Sequence, residues 1–190
     1  MQTNILWTGR EYYSLENCLV KTGIAGAEIS SVIVGKFKET IYKAEYEIRV
    51  NALWQTVLVD IRSRHGDIIQ HFRMESDGEG NWTSQNMAAE LFAGCLDVDI
   101  PLTPFTNTLP IKRLQLQPGE SKTIGVIYFD LLEQVVRPVT QKYTCLSRTK
   151  YHYSNVPDDF DAEIETDEFG LVVDYPGLFV RSAAVSTKEE

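Results

Sequence analysis

Asp97 and Asp99 stand two residues apart, so an extended backbone turns both carboxylates to one face. Such a pair could work as acid and base on a sugar or lipid substrate, or hold a divalent cation. A hard cation wants about six or more oxygens, and no Asp-x-Asp-x-Asp-Gly loop follows, so no metal site is expected. Arg113 offers a structural alternative, an ion pair that returns to one of the two acids. Between the acids and Arg113 lies an uncharged segment, residues 100–111, with three Thr, one Asn and three Pro. Proline lacks an N–H, so regular pairing cannot satisfy this backbone, and the Thr and Asn side chains must do part of that work. Two readings stay open. The segment is a rigid buried connection with capped ends, or it is a polar floor beneath an apolar pocket, where Thr103 and Asn107 hydrogen-bond a ligand headgroup.

Other reactive constellations are missing. His65, His71 and His152 have no H-x-x-x-H, H-E-x-x-H or Cys-partner spacing, which argues against zinc. No G-x-S-x-G elbow is present, and residues 23–26 lack the third glycine of a dinucleotide fingerprint. Neither a catalytic residue nor a cofactor is expected. Aromatic side chains are the remaining resource: nine Tyr, eight Phe and three Trp, enough to stack on sugar faces or line an acyl slot. Gln141 and Tyr143 lie at same-face spacing, as do Tyr151 and Tyr153, and could line an interior; cross-strand packing explains them equally.

The elements that must position these residues are strands. In residues 41–50 the even positions Tyr42, Ala44, Tyr46, Ile48 and Val50 are apolar and the odd ones mostly polar, the period-2 pattern of a half-buried strand. Residues 55–62 and 68–75 read as further strands, and turn residues at 77–80, 118–119, 167–170 and 175–177 punctuate the rest as an antiparallel meander. Helical periodicity is weak and confined to residues 86–92. A short helix could begin at Thr103-Pro104, with Thr as N-cap and Pro in the first helical position, and be disturbed by Pro110.

A chain of 190 residues with 43% hydrophobic and 24% charged side chains is globular and long enough for its own core. A net charge of −9 argues against nucleic acid or an anionic membrane surface as the main partner. No secretory signal and no apolar run near the roughly 20 residues of a spanning helix is found, so a cytoplasmic chain without a transmembrane segment is expected. Cys18, Cys95 and Cys145, an odd number without ligand spacing, fit a reduced compartment. Seven carboxylates between residues 158 and 168 read as a solvated sheet edge.

The run GCLDVD at residues 94–99, followed by TPFTNTLPIKRL at 103–114, resembles the Putative glycolipid-binding family, formerly a bacterial domain of unknown function. Trp7 with Glu11, Trp54 with Thr56, residues 141–144 and residues 170–178 match its other marks in order. This resemblance implies a mostly β fold, a spiral β-roll in which a large, mainly antiparallel sheet wraps around a single short helix. Members of that group resemble lipoprotein-localisation carriers in shape. It also leads one to expect an acid where Asn51 stands.

Together these readings give one β-roll domain over residues 1–185, with a frayed tail at 186–190. The expected partner is an amphiphilic, glycolipid-like molecule held without chemistry in an apolar cavity. Asp97, Asp99, Thr103, Asn107, Arg113, Gln141 and Tyr143 are the polar candidates for its mouth or floor. The alternative is an enzyme of sugar or lipid metabolism with Asp97 and Asp99 as acid and base. A homodimer is compatible with either.

Overall fold

Strict alternation of apolar and polar side chains over long runs makes strands that bury one face, and the described residues make fourteen of them. A computed structural model describes residues 1–85, 87–157 and 159–187. The first meander is β1 (Gln2–Gly9), β2 (Ser14–Gly23), β3 (Gly26–Phe37), β4 (Thr40–Asn51), β5 (Thr56–His65), β6 (Ile68–Ser76) and β7 (Trp82–Ser84). A 3₁₀ turn (Ala89–Phe92), β8 (Asp97–Asp99), a second 3₁₀ turn (Phe105–Asn107) and α1 (Thr108–Leu114) follow. The second meander is β9 (Ser121–Asp130), β10 (Val135–Ser147), β11 (Lys150–Val156), β12 (Asp161–Thr166), β13 (Val172–Tyr175) and β14 (Phe179–Thr187).

All belong to one sheet, in the order β7-β6-β5-β4-β3-β2-β1-β14-β13-β12-β11-β10-β9-β8. The two meanders are joined by the pairing of β1 with β14. The β8–β9 pair is parallel, and every other neighbour pairs antiparallel. The strand expected at 41–50 is β4, and its five even positions are buried.

The sheet rolls up without closing into a barrel. Its two edges, β7 and β8, do not pair, yet the chain entering β8 is fastened to the far end of the first meander. The Thr56 N–H donates to the Leu96 carbonyl (3.3 Å), Trp82 Nε1 to the Cys95 carbonyl (2.8 Å) and the Gly94 N–H to the Gly80 carbonyl (3.0 Å). This overlap makes the roll a spiral. The second 3₁₀ turn and α1 run through its middle, so the fold is mostly β with one short helix enclosed. Phe105 and Leu109 pack with Trp7, Ile48, Phe129 and Leu171, while Ile111 joins the cluster around Ile164, Val172 and Tyr175. The middle of the roll, where the sequence suggested an apolar cavity, thus holds side chains of the second 3₁₀ turn and α1.

Three expectations need adjustment. The acidic run is no edge: β12 lies between β11 and β13, with Ile164 and Thr166 turned inward and Asp161, Glu163 and Glu165 outward. Two of those acids pair with β11, Asp161 with His152 and Glu163 with Lys150; Asp158 lies outside the described residues. In the weakly periodic stretch at 86–92 only the short 3₁₀ turn forms, with Asn86 outside the described residues. Ser186 and Thr187, placed in the frayed tail, are the end of β14, and Ser186 Oγ is 3.0 Å from Thr3 Oγ1; residues 188–190 lie outside the described residues. Among the described residues no helix is long and apolar enough to cross a membrane.

Gly80 and Gly94 make the tightest point of the overlap. Gly80 has φ +87°, and a Cβ there would lie 2.8 Å from Gly94 Cα. Gly119 has a similar φ of +91° with open space around it. Gly80→Ala is therefore expected to lose about 1–3 kcal/mol beyond the loss in Gly119→Ala, as read by urea unfolding. Equal losses would show that the overlap of the spiral does not contribute to stability.

Candidate functional site

The uncharged segment folds as its residues dictate. Thr103 Oγ1 accepts the Phe105 N–H at 3.0 Å, and Pro104 follows in helical conformation, so this Thr-Pro pair opens the helical stretch. Pro110 falls in the first turn of α1, where an N–H would have no partner within the helix, and so does not disturb it. Lys112 and Arg113 occupy the last turn, and Gln115 ends it in the left-handed region at φ 48°.

Side chains from distant strands then pin this stretch. Asp99 accepts Thr106 Oγ1 (3.0 Å) on one oxygen and Gln141 Nε2 (2.7 Å) on the other. Tyr143 Oη donates to Asn107 Oδ1 (2.9 Å), and Asn107 Nδ2 donates to the Pro104 carbonyl (3.3 Å). Arg113 Nε lies 3.1 and 3.2 Å from the two oxygens of Asp97, with Nη2 closing the fork. Asp97 is wholly buried, and burial pushes its carboxyl up against the pull of Arg113. Burial likewise raises Asp99, opposed by its bonds from Gln141 and Thr106.

At the other side of the turn is Glu16 on β2, a carboxylate only 2% exposed. Its Oε1 accepts three hydroxyls: Ser31 (2.7 Å) from β3, Tyr46 (2.7 Å) from β4 and Thr103 (2.9 Å). Oε2 is buried with no hydrogen-bond partner among the described residues. Desolvation dominates over the three hydroxyls and pushes the carboxyl from 4.5 to about 7.

Above Asp99, Thr103 and Asn107 a cleft of about 300 Å³ opens where the β1–β2, β11–β12 and β13–β14 turns gather. Its walls are Tyr12, Tyr128, Tyr153, Phe160, Tyr175 and Phe179, with Glu11 and Asn155 at the sides. The rings form a chain: Tyr12 to Phe179 at 6.2 Å between centroids, Phe179 to Tyr175 at 6.3 Å, and Tyr175 to Tyr153 at 6.5 Å. Burial, then nearby carboxylates such as Asp99, raise the phenols of Tyr128, Tyr153 and Tyr175, which stay neutral donors.

The structure brings all seven sequence candidates to one segment and divides them. Asp99, Thr103 and Asn107 line the cleft; Gln141 and Tyr143 are buried behind it and hold Asp99 and Asn107 in place; Asp97 and Arg113 hold the end of α1 to β8. Sequence reasoning missed Glu16 and most of the aromatic wall. The signal for Glu16 was present, since it shares the phase of Cys18 and Val20, a lone acid on the apolar face of an alternating run. Asn51 caps the β4–β5 turn, its Oδ1 accepting the N–H groups of Leu53 (3.0 Å) and Gln55 (3.1 Å). Among the described residues no group of three or more His, Cys, Asp or Glu is arranged to hold a metal ion.

The family described as Putative glycolipid-binding matches residues 4–181. A crystal structure of a DUF1089 family protein from Pseudomonas aeruginosa is similar, with 31% sequence identity and a TM-score of 0.79 over 87% of this chain and 91% of that one. No curated protein matches the sequence.

Two outcomes test this geometry. Arg113→Ala leaves a buried charge unpaired and is expected to cost about 3–5 kcal/mol in urea unfolding, part of which Asp97→Asn restores in the double variant. A loss below about 1 kcal/mol would show that the pair does not hold α1. Glu16 binds its proton more tightly folded than unfolded, so stability falls as pH rises from 4.5 to about 7, by up to about 3 kcal/mol. Glu16→Gln is expected to remove that slope; a slope unchanged in the variant would assign it to other groups.

Proposed function

From the premise that this chain belongs to the Putative glycolipid-binding family, we propose that it binds the sugar-bearing headgroup of an amphiphile in the tyrosine-walled cleft, without chemistry. The observation that carries the reading is the wall itself: six aromatic rings stand over a floor of Asp99, Thr103 and Asn107. Rings offer flat apolar faces to the C–H faces of a sugar, and the floor offers hydrogen-bonding oxygens and an amide to its hydroxyls. Because the middle of the roll is packed, the cleft takes the headgroup and leaves the apolar tail at its mouth, a revision of the buried-tail expectation.

Two features favour binding over acid-base catalysis by Asp97 and Asp99. Asp97 is fully buried with both oxygens in the Arg113 fork. Asp99 spends one oxygen on Thr106 and the other on Gln141. Neither is a free proton carrier facing the cleft.

Calorimetric titration with methyl and octyl glycosides of the same sugars, the latter below their micellar concentrations, tests the reading. The two series are expected to bind with similar affinity, and Tyr12→Ala and Tyr128→Ala to weaken each by roughly two- to tenfold. Absence of binding across the glycosides would overturn it. So would affinity that climbs by about 0.8 kcal/mol per methylene of the tail, since that describes a buried acyl chain.

A further inference from the structure

We propose that the headgroup the cleft selects carries a protonated amine, as an unacetylated amino sugar does, and that headgroups bearing a carboxylate or phosphate are turned away. This rests on the sugar-binding reading and names its ligand class. Charge gives the first reason. Two acids, Asp99 and Glu11, line the cleft, and no Lys, Arg or His does so among the described residues. Asp99 takes the Thr106 hydroxyl on one oxygen and the Gln141 amide N–H on the other, which is the bonding of an ionised carboxylate. Glu11 stands exposed on the β1–β2 turn and enters no ion pair with a described residue. Two cations stand beside the walls, and both are engaged: Arg10 pairs with Asp174 at 3.4 Å, and Arg137 lies over the Tyr128 ring at 5.8 Å. An anion entering the cleft meets two carboxylates and no free counter-charge.

The hydrogen-bond inventory gives a second reason. Donors at the floor and sides are largely spent within the protein. Thr103 gives its proton to Glu16 (2.9 Å), Tyr153 gives its own to Asn155 Oδ1 (2.6 Å), and Asn155 Nδ2 gives one to Asp159 (2.8 Å). Asn107 Nδ2 gives one to the Pro104 carbonyl. Acceptors are left over. A carboxylate has about four lone-pair sites, and at Asp99 only Thr106, Gln141 and the Ile100 N–H draw on them. Thr103 keeps one lone pair beyond the Phe105 N–H, and Glu11 keeps its whole carboxylate. What remains to donate is one N–H on each of Asn107 and Asn155 and the phenols that rotate freely. A ligand that donates suits such a surface, and an ammonium brings three N–H donors together with its charge.

The walls give a third. An aromatic face is negative, and it attracts a cation that stands within about 6 Å of the ring centroid. Tyr12, Phe179, Tyr175 and Tyr153 follow one another at 6.2, 6.3 and 6.5 Å between centroids, so a cation between two neighbours is within that distance of both. The fields of the carboxylates reach these rings as well. After burial, Glu11, Asp130 and Asp99 raise the Tyr12 phenol, and Asp99 and Asp130 raise that of Tyr128. Floor, side and walls thus favour positive charge together.

Calorimetry at about pH 6, where a sugar amine is protonated, compares four methyl glycosides of the glucose series: the glucoside, the 2-amino glucosaminide, its N-acetyl form and the glucuronide. The glucosaminide is expected to bind about five- to tenfold more tightly than the glucoside, N-acetylation to remove that gain, and the glucuronide to bind more weakly than the glucoside. Glu11→Gln, at an exposed turn position, is expected to cut the preference for the amine about two- to threefold, and added salt to shrink it in the wild-type protein. A glucosaminide that binds no better than the glucoside, an N-acetyl form that keeps the gain, or a glucuronide that binds best overturns the proposal and leaves the sugar-binding reading standing. Tetramethylammonium separates the two in the other direction: its binding by a protein that takes none of the glycosides supports selection of a cation and overturns the sugar-binding reading instead.

Discussion

A segment with three prolines cannot pair as a strand, and burying it inside a rolled sheet obliges side chains to satisfy the groups that strands would have satisfied. Residues 103–111 are all buried. Thr103 caps the turn, Thr106 Oγ1 approaches the Ile100 N–H at 3.4 Å and donates to Asp99, and Asn107 bonds back to Pro104. The strands then have to bring matching groups to fixed places: Glu16, Ser31 and Tyr46 on one side, Gln141 and Tyr143 on the other. Each of these contacts joins residues far apart in the chain, 87 positions for Thr103 to Glu16 and 36 for Asn107 to Tyr143. Polar pairing inside the roll thus sets where the two meanders stand relative to the turn.

The cleft follows from that placement. The same turn that is pinned from below presents Asp99, Thr103 and Asn107 upward, and the inward phases of β9, β11 and β13 supply Tyr128, Tyr153 and Tyr175 around them. Groups buried for structural reasons become the floor of the cleft because the rings above them do not fill the space. On the proposed reading, the flat apolar walls and polar base take a sugar, while Phe105, Leu109 and their neighbours occupy the apolar interior.

Much of this was legible in the sequence where the signal is local. Alternation in residues 41–50 specified which face of β4 is inside, and Thr103-Pro104 specified where the helical stretch begins, because both depend on neighbours in the chain. The uncharged segment announced itself through its prolines and its unpaired need for side-chain bonds, and all seven candidates met there. What was hidden depends on pairing at a distance. Residues 158–168 looked like an edge because charge density cannot reveal that β12 has a strand on each side. The aromatic wall comes from four separate strands and two turns, so no window of sequence contains it. Glu16 lay in between: its phase marked it as inward, but only the roll shows that Ser31, Tyr46 and Thr103 converge on one of its oxygens.

The buried turn is as firmly held as the strands around it, fixed by side-chain bonds in place of a ladder. Native-state hydrogen exchange at Thr106, Asn107 and Ile111 measures this directly. These amides are expected to exchange only through global unfolding, with the same opening free energy and urea dependence as Tyr46 and Ile48 in β4. Exchange through a local opening several kcal/mol below the global value, insensitive to urea, would contradict it, for the turn would then be a loosely held insert and the cleft floor would have no fixed geometry.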